Sequence, residues 1–335
     1  MSDTGPLLEV RDLHVRFRTR DGVVSAVNGM SFTLDAGETI AILGESGSGK
    51  SVTAQAIMGI LPSKTATIPQ GSIRYRGTEL VGLRERDYRQ LRGAKIAMVF
   101  QDALSALNPV TSVGRQVSEM FRVRGDMSRR QAKAAAIEVM SHVGIPDPAR
   151  RFNNYPHQFS GGMRQRVMIA TMIALRPSVL IADEPTTALD VTVQAQIMDL
   201  LKELQHETGT GLILITHDLG VVASVADRIA VMYAGRVMEQ GNVDEIYQRQ
   251  ANPYTVGLLE SIPQIDERVG RLPAIPGLPP NLLAVPPGCP YHLRCAMPID
   301  PCFEDPAPPF TQVAPGHHSM CWRAEEVYAG ERVAR

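Results

Sequence analysis

The chain has 335 residues, of which 44% are hydrophobic and 21% charged, and its formal net charge is -1. That length predicts a large domain with a smaller appendage. The near-neutral charge gives no general attraction to nucleic acid or anionic lipid, and no apolar run approaches the ~20 residues needed to cross a bilayer. Because the first residues also lack the pattern of a secretory signal, we expect a cytoplasmic protein with reduced cysteines, whose membrane role would depend on partners.

The first hundred residues are patterned mainly as strands. Hydrophobic and polar residues alternate over residues 8–17 and 27–34, and a buried strand is expected at residues 38–43. A glycine-rich loop and a helical pattern follow. Further short strands are expected at residues 72–75 and 95–100.

The middle of the chain, residues 111–175, has mostly helical periodicity. Ser128, with Gln131 three residues later, predicts a capping box at a helix start, and Gly144 predicts the end of that helix. A strand, a helix and a second strand are then expected over residues 179–182, 191–207 and 212–216. Short apolar strands that alternate with helices indicate an α/β fold with a parallel sheet covered on both faces.

The composition changes near residue 252. Fifteen of the 24 prolines lie between Pro253 and Pro315, and all four cysteines lie in the same tail. Fixed φ angles and missing N–H donors argue against long helices and central strands there. We therefore expect a domain of residues 1–252, with a helical subdomain at about 103–175, and a small C-terminal module of residues 253–335.

The glycine-rich loop matches the pattern G-x-x-x-x-G-K-[ST] between a strand and a helix, which predicts a nucleoside triphosphate site. Converging backbone N–H groups and the helix N-terminus attract phosphate. Lys50 would reach the β- and γ-phosphates, and the Ser51 hydroxyl would bind Mg²⁺. The residues expected to bind nucleotide here are Gly44, Glu45, Ser46, Gly47, Ser48, Gly49, Lys50, Ser51 and Val52.

The strand predicted at residues 179–182 ends in two acids, Asp183 and Glu184. A single acid at a strand end is often only a helix cap or a turn former. A pair that follows a phosphate loop in parallel-sheet order instead favours catalysis. We expect Asp183 to hold Mg²⁺ through water and Glu184 to orient or deprotonate the attacking water.

A Ser-Gly-Gly sequence, Ser160 to Gly162, precedes a strongly helical run. Ser160 is a good N-cap, and the exposed N–H groups of such a helix start form an anion site. Because this segment comes just before the acidic strand, it is poorly placed to serve the nucleotide that Lys50 contacts.

Together these motifs resemble the ATP-binding cassette (ABC) ATPases over residues 7 to about 250. The resemblance implies a RecA-like parallel sheet with antiparallel β and α-helical subdomains, and it implies ATP and Mg²⁺ as ligands. It makes Ser160, Gly161 and Gly162 the signature segment. In this family ATP lies between the phosphate loop of one subunit and the signature of another, so the working unit would be a dimer.

The same resemblance assigns four further residues. Phe17 would stack on adenine, and Gln101 would sense Mg²⁺ and touch a transmembrane partner. Asp190 would lie in the loop that connects the two sites of the dimer, and His217 would contact the γ-phosphate. The signature has Phe159 and Met163 where leucine and glutamine are commonest, and neither change alters the phosphate-contacting Ser-Gly-Gly.

The tail around residues 288–302 and 318–322 resembles the C-terminal module of oligopeptide/dipeptide importer ATPases. The resemblance implies a translocase subunit that is peripheral to the cytoplasmic face of the inner membrane. Its implied partners are a second, different ATPase and two transmembrane permease subunits, with an external substrate-binding protein acting indirectly and no nucleic acid.

The four cysteines, Cys289, Cys295, Cys302 and Cys321, are separated by five, six and eighteen residues. Those gaps fit neither a zinc ribbon nor a ferredoxin run. Four thiolates can still enclose a soft metal that would staple a proline-rich tail. The family resemblance suggests a [4Fe–4S] cluster, with structural zinc as the alternative and uncoordinated or disulfide-bonded cysteines as a third reading.

Three rival functions remain open on the sequence. A DNA-maintenance or translation ATPase would need a long coiled coil within residues 52–159 or a second phosphate loop, and the chain has neither. A regulatory subunit with weak hydrolysis is disfavoured by Glu184 and His217. The third rival keeps the transport mechanism but carries nickel, glutathione or an oligosaccharide-like solute.

Overall fold

The computed structural model describes residues 5–187, 189–261 and 275–330. The strands in these ranges are β1 (Leu8–Arg18), β2 (Val23–Leu34), β3 (Thr39–Leu43), β4 (Ala66–Tyr75), β5 (Thr78–Glu79), β6 (Ile96–Val99), β7 (Val179–Asp183), β8 (Gly211–Ile215), β9 (Arg228–Tyr233), β10 (Arg236–Asn242), β11 (Phe310–Ala314) and β12 (His317–Met320).

The α-helices in the same ranges are α1 (Lys50–Met58), α2 (Glu85–Leu91), α3 (Ala103–Ala106), α4 (Val113–Arg124), α5 (Arg129–His142), α6 (Pro148–Arg151), α7 (Gly161–Ile173), α8 (Val191–Thr208), α9 (Leu219–Val225), α10 (Val243–Gln248), α11 (Pro253–Glu260) and α12 (Ala324–Tyr328). Two 3-10 turns lie at Pro156–Gln158 and Asp300–Phe303. Among the described residues, no helix is both long and apolar enough to span a membrane.

Residue contacts divide the chain into two compact units. The first unit comprises Met1–Leu8, Leu34–Glu38 and Gly82–Ile215. The second comprises Glu9–Thr33, Thr39–Val81 and Thr216–Arg335. The tail therefore belongs to the same compact unit as the phosphate loop, and the module boundary near residue 252 stays a prediction.

The first unit contains the parallel strands β6, β7 and β8, in that order. Every residue of these strands is buried. Short, mainly apolar strands of this kind are typical of a parallel sheet that is covered on both faces. The acid pair lies at the carboxyl end of β7, where Asp183 is the last residue of the strand and Glu184 follows it.

Helices α4 to α7 also belong to the first unit, and they account for the helical periodicity of residues 111–175. The capping box at the start of α5 is confirmed, because Ser128 Oγ accepts from the Gln131 N–H at 3.4 Å and Gln131 Oε1 accepts from the Ser128 N–H at 3.1 Å. Val143 is the C-cap of this helix, and Gly144 follows with φ +74°. Helix α7 is buried around most of its circumference in its second half, and its buried residues are Gln165, Val167, Met168, Ile169, Ala170 and Ile173.

The second unit contains two groups of strands. One is a four-stranded sheet of order β2-β1-β4-β5. In the other, β3 runs parallel to β9, β9 and β10 are antiparallel, β10 and β12 are antiparallel, and β12 pairs with β11. The tail hairpin β11–β12 thus extends the strand group that leads into the phosphate loop.

The expectation that the tail forms no internal strand is wrong at β12, which lies between β10 and β11. The reason is local. Pro309 and Pro315 fall just outside the two strands, so the nine residues of β11 and β12 keep every N–H donor. The prediction that the tail lacks long helices agrees with its described part. The longest helix there, α11, has eight residues and starts at Pro253.

Candidate functional site

The phosphate loop leaves the buried strand β3 and enters helix α1. Its glycines adopt backbone conformations that other residues resist, with φ of +148° at Gly44, +79° at Gly47 and +107° at Gly49. A Cβ atom on Gly44 would lie 2.1 Å from the Met232 carbonyl oxygen, and one on Gly49 would lie 2.3 Å from the Ala26 carbonyl oxygen. The loop therefore depends on glycine both for its torsion angles and for its close packing.

Lys50 is the first residue of α1, and its buried side chain turns back across the loop. Its Nζ donates to the carbonyl oxygens of Gly44 at 2.7 Å and of Glu45 at 2.9 Å. The buried Ser48 hydroxyl has no hydrogen-bond partner among the described residues. The first N–H groups of α1 also lack partners within the helix. A cation, an orphaned hydroxyl and helix N–H groups are a donor set that fits phosphate.

In the first unit, Glu184 directly follows β7, and its side chain is held at one oxygen. Glu184 Oε2 accepts a hydrogen bond from Gln101 Nε2 at 2.7 Å and another from Thr187 Oγ1 at 2.9 Å. Its backbone N–H donates to the Ile215 carbonyl at 2.8 Å. The structure thus brings together Glu184 and Gln101, two residues singled out by sequence. Thr187 was not singled out, although it follows the acid pair by only three residues.

The backbone of Glu184 has φ +47°, a left-handed conformation that a non-glycine residue adopts at some energetic cost. The neighbouring Asp183 is the buried last residue of β7. Strain of this kind persists where surrounding contacts fix the residue, and it is concentrated at functional sites. The hydrogen bonds from Gln101 and Thr187 hold the Glu184 carboxylate in one orientation.

The Ser-Gly-Gly segment forms the start of α7, as expected. Ser160 is the N-cap, and its hydroxyl accepts from the Met163 N–H at 3.4 Å. Asp190 plays the same part for α8, with Oδ1 accepting from the Val193 N–H at 2.9 Å. A Cβ atom added to Gly162 would lie 2.7 Å from Val193 Cγ1, so the two helix starts are in direct contact.

The remaining predicted nucleotide contacts lie at element ends in the second unit. Phe17 is half-buried near the end of β1. His217 is exposed and stands just before α9, which Asp218 caps by accepting from the Val221 N–H at 3.2 Å. Ser51 and Val52 follow Lys50 in the first turn of α1 and are partly exposed.

All four cysteines of the tail line one narrow, mainly apolar pocket in the second unit. All four are free thiols, which excludes disulfide bonds among them in this structure. The backbone joins two of them, since the Cys289 N–H donates to the Cys302 carbonyl at 3.0 Å. Among the described residues, however, no group of three or more His, Cys, Asp or Glu side chains is arranged to hold a metal ion.

The thiols share an environment of burial and backbone donors. Burial raises the pKa of Cys289 to about 11 and that of Cys321 to about 12, and it also raises the pKa of Cys295. The Met297 N–H donates to Cys295 Sγ at 3.4 Å, and the Arg323 N–H donates to Cys321 Sγ at 3.3 Å. Backbone N–H groups aimed at sulfur stabilise thiolates and tune iron–sulfur clusters.

Sequence reasoning missed a contact between the tail and the phosphate loop. Arg294 Nη1 lies 2.9 Å from Glu45 Oε2, and the Glu45 N–H donates to the Tyr254 hydroxyl at 3.1 Å. Arg294 directly precedes Cys295. No local pattern announces these contacts, because 249 residues separate Glu45 from Arg294 and 209 separate it from Tyr254.

A chain that carries a phosphate loop in one compact unit, with an acid-terminated strand and a Ser-Gly-Gly helix start in the other, is an ATPase of the ATP-binding cassette class. The family described as ABC transporter matches residues 27–187, and the family described as oligopeptide/dipeptide transporter, C-terminal region, matches residues 238–302. The chain belongs to the family of ATP-binding, ATP-hydrolysing subunits of oligopeptide/dipeptide ABC transporters.

Two relatives illustrate the match. The dipeptide transport ATP-binding protein DppD of Bacillus subtilis is 49% identical over 320 residues, which cover 96% of this chain and 95% of the relative. The oligopeptide transport ATP-binding protein OppD of Haemophilus influenzae is 48% identical over 323 residues, which cover 96% of this chain and 99% of the relative.

Solved structures agree on the fold. The ATP-binding cassette MJ0796, in a dimeric post-hydrolysis state bound to ADP and phosphate, has a TM-score of 0.64 and 28% identity, covering 70% of this chain and 98% of its own. The cbiO1 protein of Clostridium perfringens, part of the cbiONQ transporter complex, has a TM-score of 0.61 and 32% identity, covering 72% of this chain and 90% of its own. The expected ABC ATPase fold is thereby confirmed.

Proposed function

We propose that this chain powers the import of di- and oligopeptides by hydrolysing ATP at the interface of a dimer of ATPase subunits. The observation that carries the hydrolytic step is the Glu184 carboxylate, which Gln101 and Thr187 hold at 2.7 and 2.9 Å. The cargo class is supported by the relatives, which are named as dipeptide and oligopeptide transport proteins.

In the proposed mechanism, Gly44 to Val52 bind the phosphates of ATP and Phe17 stacks on adenine. Lys50 would neutralise the charge that develops on the γ-phosphate. Mg²⁺ would be held by Ser51, Gln101 and Asp183, and it would stabilise the negative charge of the phosphates. No covalent step on the protein is required.

Glu184 then orients or deprotonates the attacking water. Gln101 and Thr187 donate hydrogen bonds to its Oε2, and these bonds fix the orientation of the carboxylate. A carboxylate whose orientation is fixed before the reaction needs little reorganisation in the transition state. His217 would contact the γ-phosphate and complete the site.

The second ATPase subunit would contribute its signature to the nucleotide on this chain, while Ser160, Gly161 and Gly162 serve the partner's nucleotide. Asp190 would link the two sites, because it begins the helix that contacts Gly162. We propose a heterodimer that binds two transmembrane permease subunits near Gln101 and is peripheral to the cytoplasmic face of the cell membrane. An external substrate-binding protein would deliver the cargo.

The C-terminal module, residues 253–335, is proposed to hold a [4Fe–4S] cluster through Cys289, Cys295, Cys302 and Cys321. Two observations support a metal group in this module: the four cysteines line one pocket, and backbone N–H groups donate to two of the sulfurs. When bound, it would cross-link the tail.

Reconstitution tests the cargo. The chain is combined in lipid vesicles with the membrane subunits, partner ATPase and binding protein encoded beside it, and ATP hydrolysis is measured with different solutes. We expect di- or oligopeptides, delivered by the binding protein, to stimulate hydrolysis and to accumulate on the far side of the membrane. Stimulation by nickel, glutathione or an oligosaccharide, with no response to peptides, would refute the cargo assignment and leave the ATPase intact.

A further inference from the structure

Glu45, in the phosphate loop, is contacted by the tail on both its side chain and its backbone. Its carboxylate pairs with Arg294 at 2.9 Å, and the side chains of the two residues are only 22% and 7% exposed. The same guanidinium nitrogen lies 3.2 Å from the Tyr233 hydroxyl, and Arg294 Nε donates to the Pro276 carbonyl at 2.9 Å. The cation is therefore held in one orientation and partly shielded from water, where its charge acts more strongly.

The Glu45 N–H is held by a second tail residue, Tyr254 of α11. Tyr254 is fully buried within a cluster of three tyrosines. Its ring lies 4.7 Å from the Tyr233 ring and 5.1 Å from the Tyr291 ring, centroid to centroid. Packed rings of this kind fix the hydroxyl in place. Because Tyr254 accepts the Glu45 N–H, that group shapes the loop and is not offered to phosphate.

Glu45 in turn helps to hold Lys50. The lysine Nζ donates to the carbonyl oxygens of Gly44 and Glu45, at 2.7 and 2.9 Å. A rotation of the Glu45 backbone would move both the carbonyl that the lysine contacts and the N–H that Tyr254 accepts. The position of the lysine is thus tied to the contacts of Glu45 with the tail.

On its other side, the same tail turn meets the cysteine pocket. Tyr291 and Cys295 both line that pocket, and the Arg294 N–H donates to the Tyr291 carbonyl at 2.9 Å. One short turn therefore contacts the cysteines at one end and the phosphate loop at the other.

We propose that Arg294 and Tyr254 are positioning residues for ATP, which hold Glu45 so that the phosphate loop and Lys50 are shaped for nucleotide before it binds. This proposal rests on the assignment of Gly44 to Val52 as the phosphate-binding segment. It makes the cysteine-bearing tail part of the nucleotide site, through its contacts with Glu45.

The test is a double-mutant cycle on the full-length chain. Equilibrium binding of a fluorescent ATP analogue with Mg²⁺ is measured for Glu45→Gln, Arg294→Gln and the double variant, alongside thermal unfolding without nucleotide. We expect each single variant to weaken binding by about 5- to 30-fold, and the double variant to bind no worse than the weaker single one. Tyr254→Phe, which removes the acceptor but keeps the ring, should weaken binding in the same direction.

Two further variants serve as controls. Glu325→Gln removes a charge from an exposed position of α12 in the same tail and should leave nucleotide affinity at the wild-type value. Arg294→Lys keeps the charge next to Glu45 and should recover most of the affinity. If Arg294→Gln cannot be purified folded, the pair of Glu45→Gln and Tyr254→Phe still tests the proposal.

The outcomes separate this inference from the assignment on which it rests. Wild-type affinity in both Arg294→Gln and Glu45→Gln, or in both Glu45→Gln and Tyr254→Phe, would overturn the positioning role even if the unfolding temperature falls. Additive losses would show that Arg294 does not act through Glu45. Lys50→Ala should abolish binding in every background, and if it did not, the phosphate-loop assignment itself would fail.

Discussion

Glu184 illustrates how a single residue can be both strained and well held. Its φ of +47° is unfavourable for a side chain with a Cβ, yet its backbone N–H bonds to Ile215 and its carboxylate to Gln101 and Thr187. Glutamine has nearly the same shape and the same backbone preferences, so it can occupy the position without a proton-accepting carboxylate. That makes the residue testable without disturbing the fold.

Glu184→Gln is expected to reduce ATP hydrolysis by about 10²- to 10⁴-fold, the usual loss when a positioned general base is removed. ATP affinity and ATP-dependent dimer formation should remain, because the phosphate loop is untouched. Phosphate release, nucleotide binding and size-exclusion chromatography measure the three quantities. Glu203→Gln, the same change on the exposed face of α8, is the matched control and should hydrolyse ATP normally. Loss of nucleotide binding in Glu184→Gln would contradict the assigned role.

A second residue, His317 of β12, links the tail to β10 and α10 of the same unit through two glutamates. Its Nε2 lies 2.7 Å from Glu239 Oε1, both side chains are fully buried, and its Nδ1 lies 3.4 Å from Glu245 Oε2. Burial by itself lowers the pKa of His317, but the hydrogen bonds and charges of Glu239 and Glu245 outweigh it, so the pKa is raised above the ordinary value.

This raised pKa fixes the sign of a pH effect. The charged pair stabilises the folded chain fully below the unfolded-state pKa of His317, about 6.5, and the contribution is lost as pH rises through the folded-state pKa. His317→Gln should remove that pH dependence and lower the free energy of unfolding by about 1–3 kcal/mol at pH 6. Urea unfolding between pH 5.5 and 9 measures the free energy of unfolding as a function of pH, with His142→Gln, a change at a partly exposed histidine, as the control. Parallel pH curves for wild type and His317→Gln would contradict the prediction.

At the scale of elements, the contact between α7 and α8 depends on one missing side chain. A Cβ atom on Gly162 would approach Val193 Cγ1 to 2.7 Å, whereas one on Gly161 would have its nearest neighbour, Leu189 Cδ2, at 3.8 Å. Valine in a helix strongly prefers one rotamer, so it yields poorly. The two adjacent glycines are therefore unequal in packing, although both stand in the same Ser-Gly-Gly segment.

Gly162→Ala should consequently destabilise the first unit by about 1–3 kcal/mol through overpacking. Gly161→Ala should be neutral or stabilising by up to about 1 kcal/mol, since alanine is the better helix former. Adding Val193→Ala should restore the stability of Gly162→Ala by removing the clash. Thermal unfolding of the four proteins measures this, and equal unfolding temperatures for the two glycine variants would refute the packing argument.

The elements also show which features can be predicted from sequence. The loop at Gly44, the acids after β7 and the cap at Ser128 depend on residues a few positions apart, so local patterns are sufficient to place them. The strand β12 was missed because its four residues carry no strong alternation and lie among prolines. Its partner is β10, which is distant in sequence, and the contact of Arg294 with Glu45 is more distant still. Such contacts depend on the folded chain and leave no short-range signal.

At the scale of the whole molecule, the cysteine tail has few means of holding itself together. Its described strands have five and four residues, and fifteen prolines interrupt it. It is attached to its unit through β12, the Asn252 amide that donates to the Met238 and Met320 carbonyls, and the tyrosine cluster. A metal group bound by all four thiols would cross-link the loops that lie between these attachments.

Anaerobic purification should therefore yield about four irons with acid-labile sulfide per chain and a broad visible absorption band. Cys295→Ser should lose the band. Removing the metal by chelation should lower the unfolding temperature of the wild type by at least about 3 °C, and chelator should not affect Cys295→Ser further. Stoichiometric zinc, or no metal, would exclude the cluster and would leave the ATPase assignment unchanged.

The pairing of β12 with β10 has a consequence for any shortened form of the protein. A chain cut near residue 260 would keep the phosphate loop and the acid pair. It would, however, expose the backbone N–H and C=O groups along one edge of β10, a strand in which five of the seven residues are buried in the full chain. An uncovered strand edge of that kind recruits other chains and promotes aggregation. The tail hairpin covers this edge of β10 in the full chain, so a form shortened near residue 260 is expected to aggregate more readily.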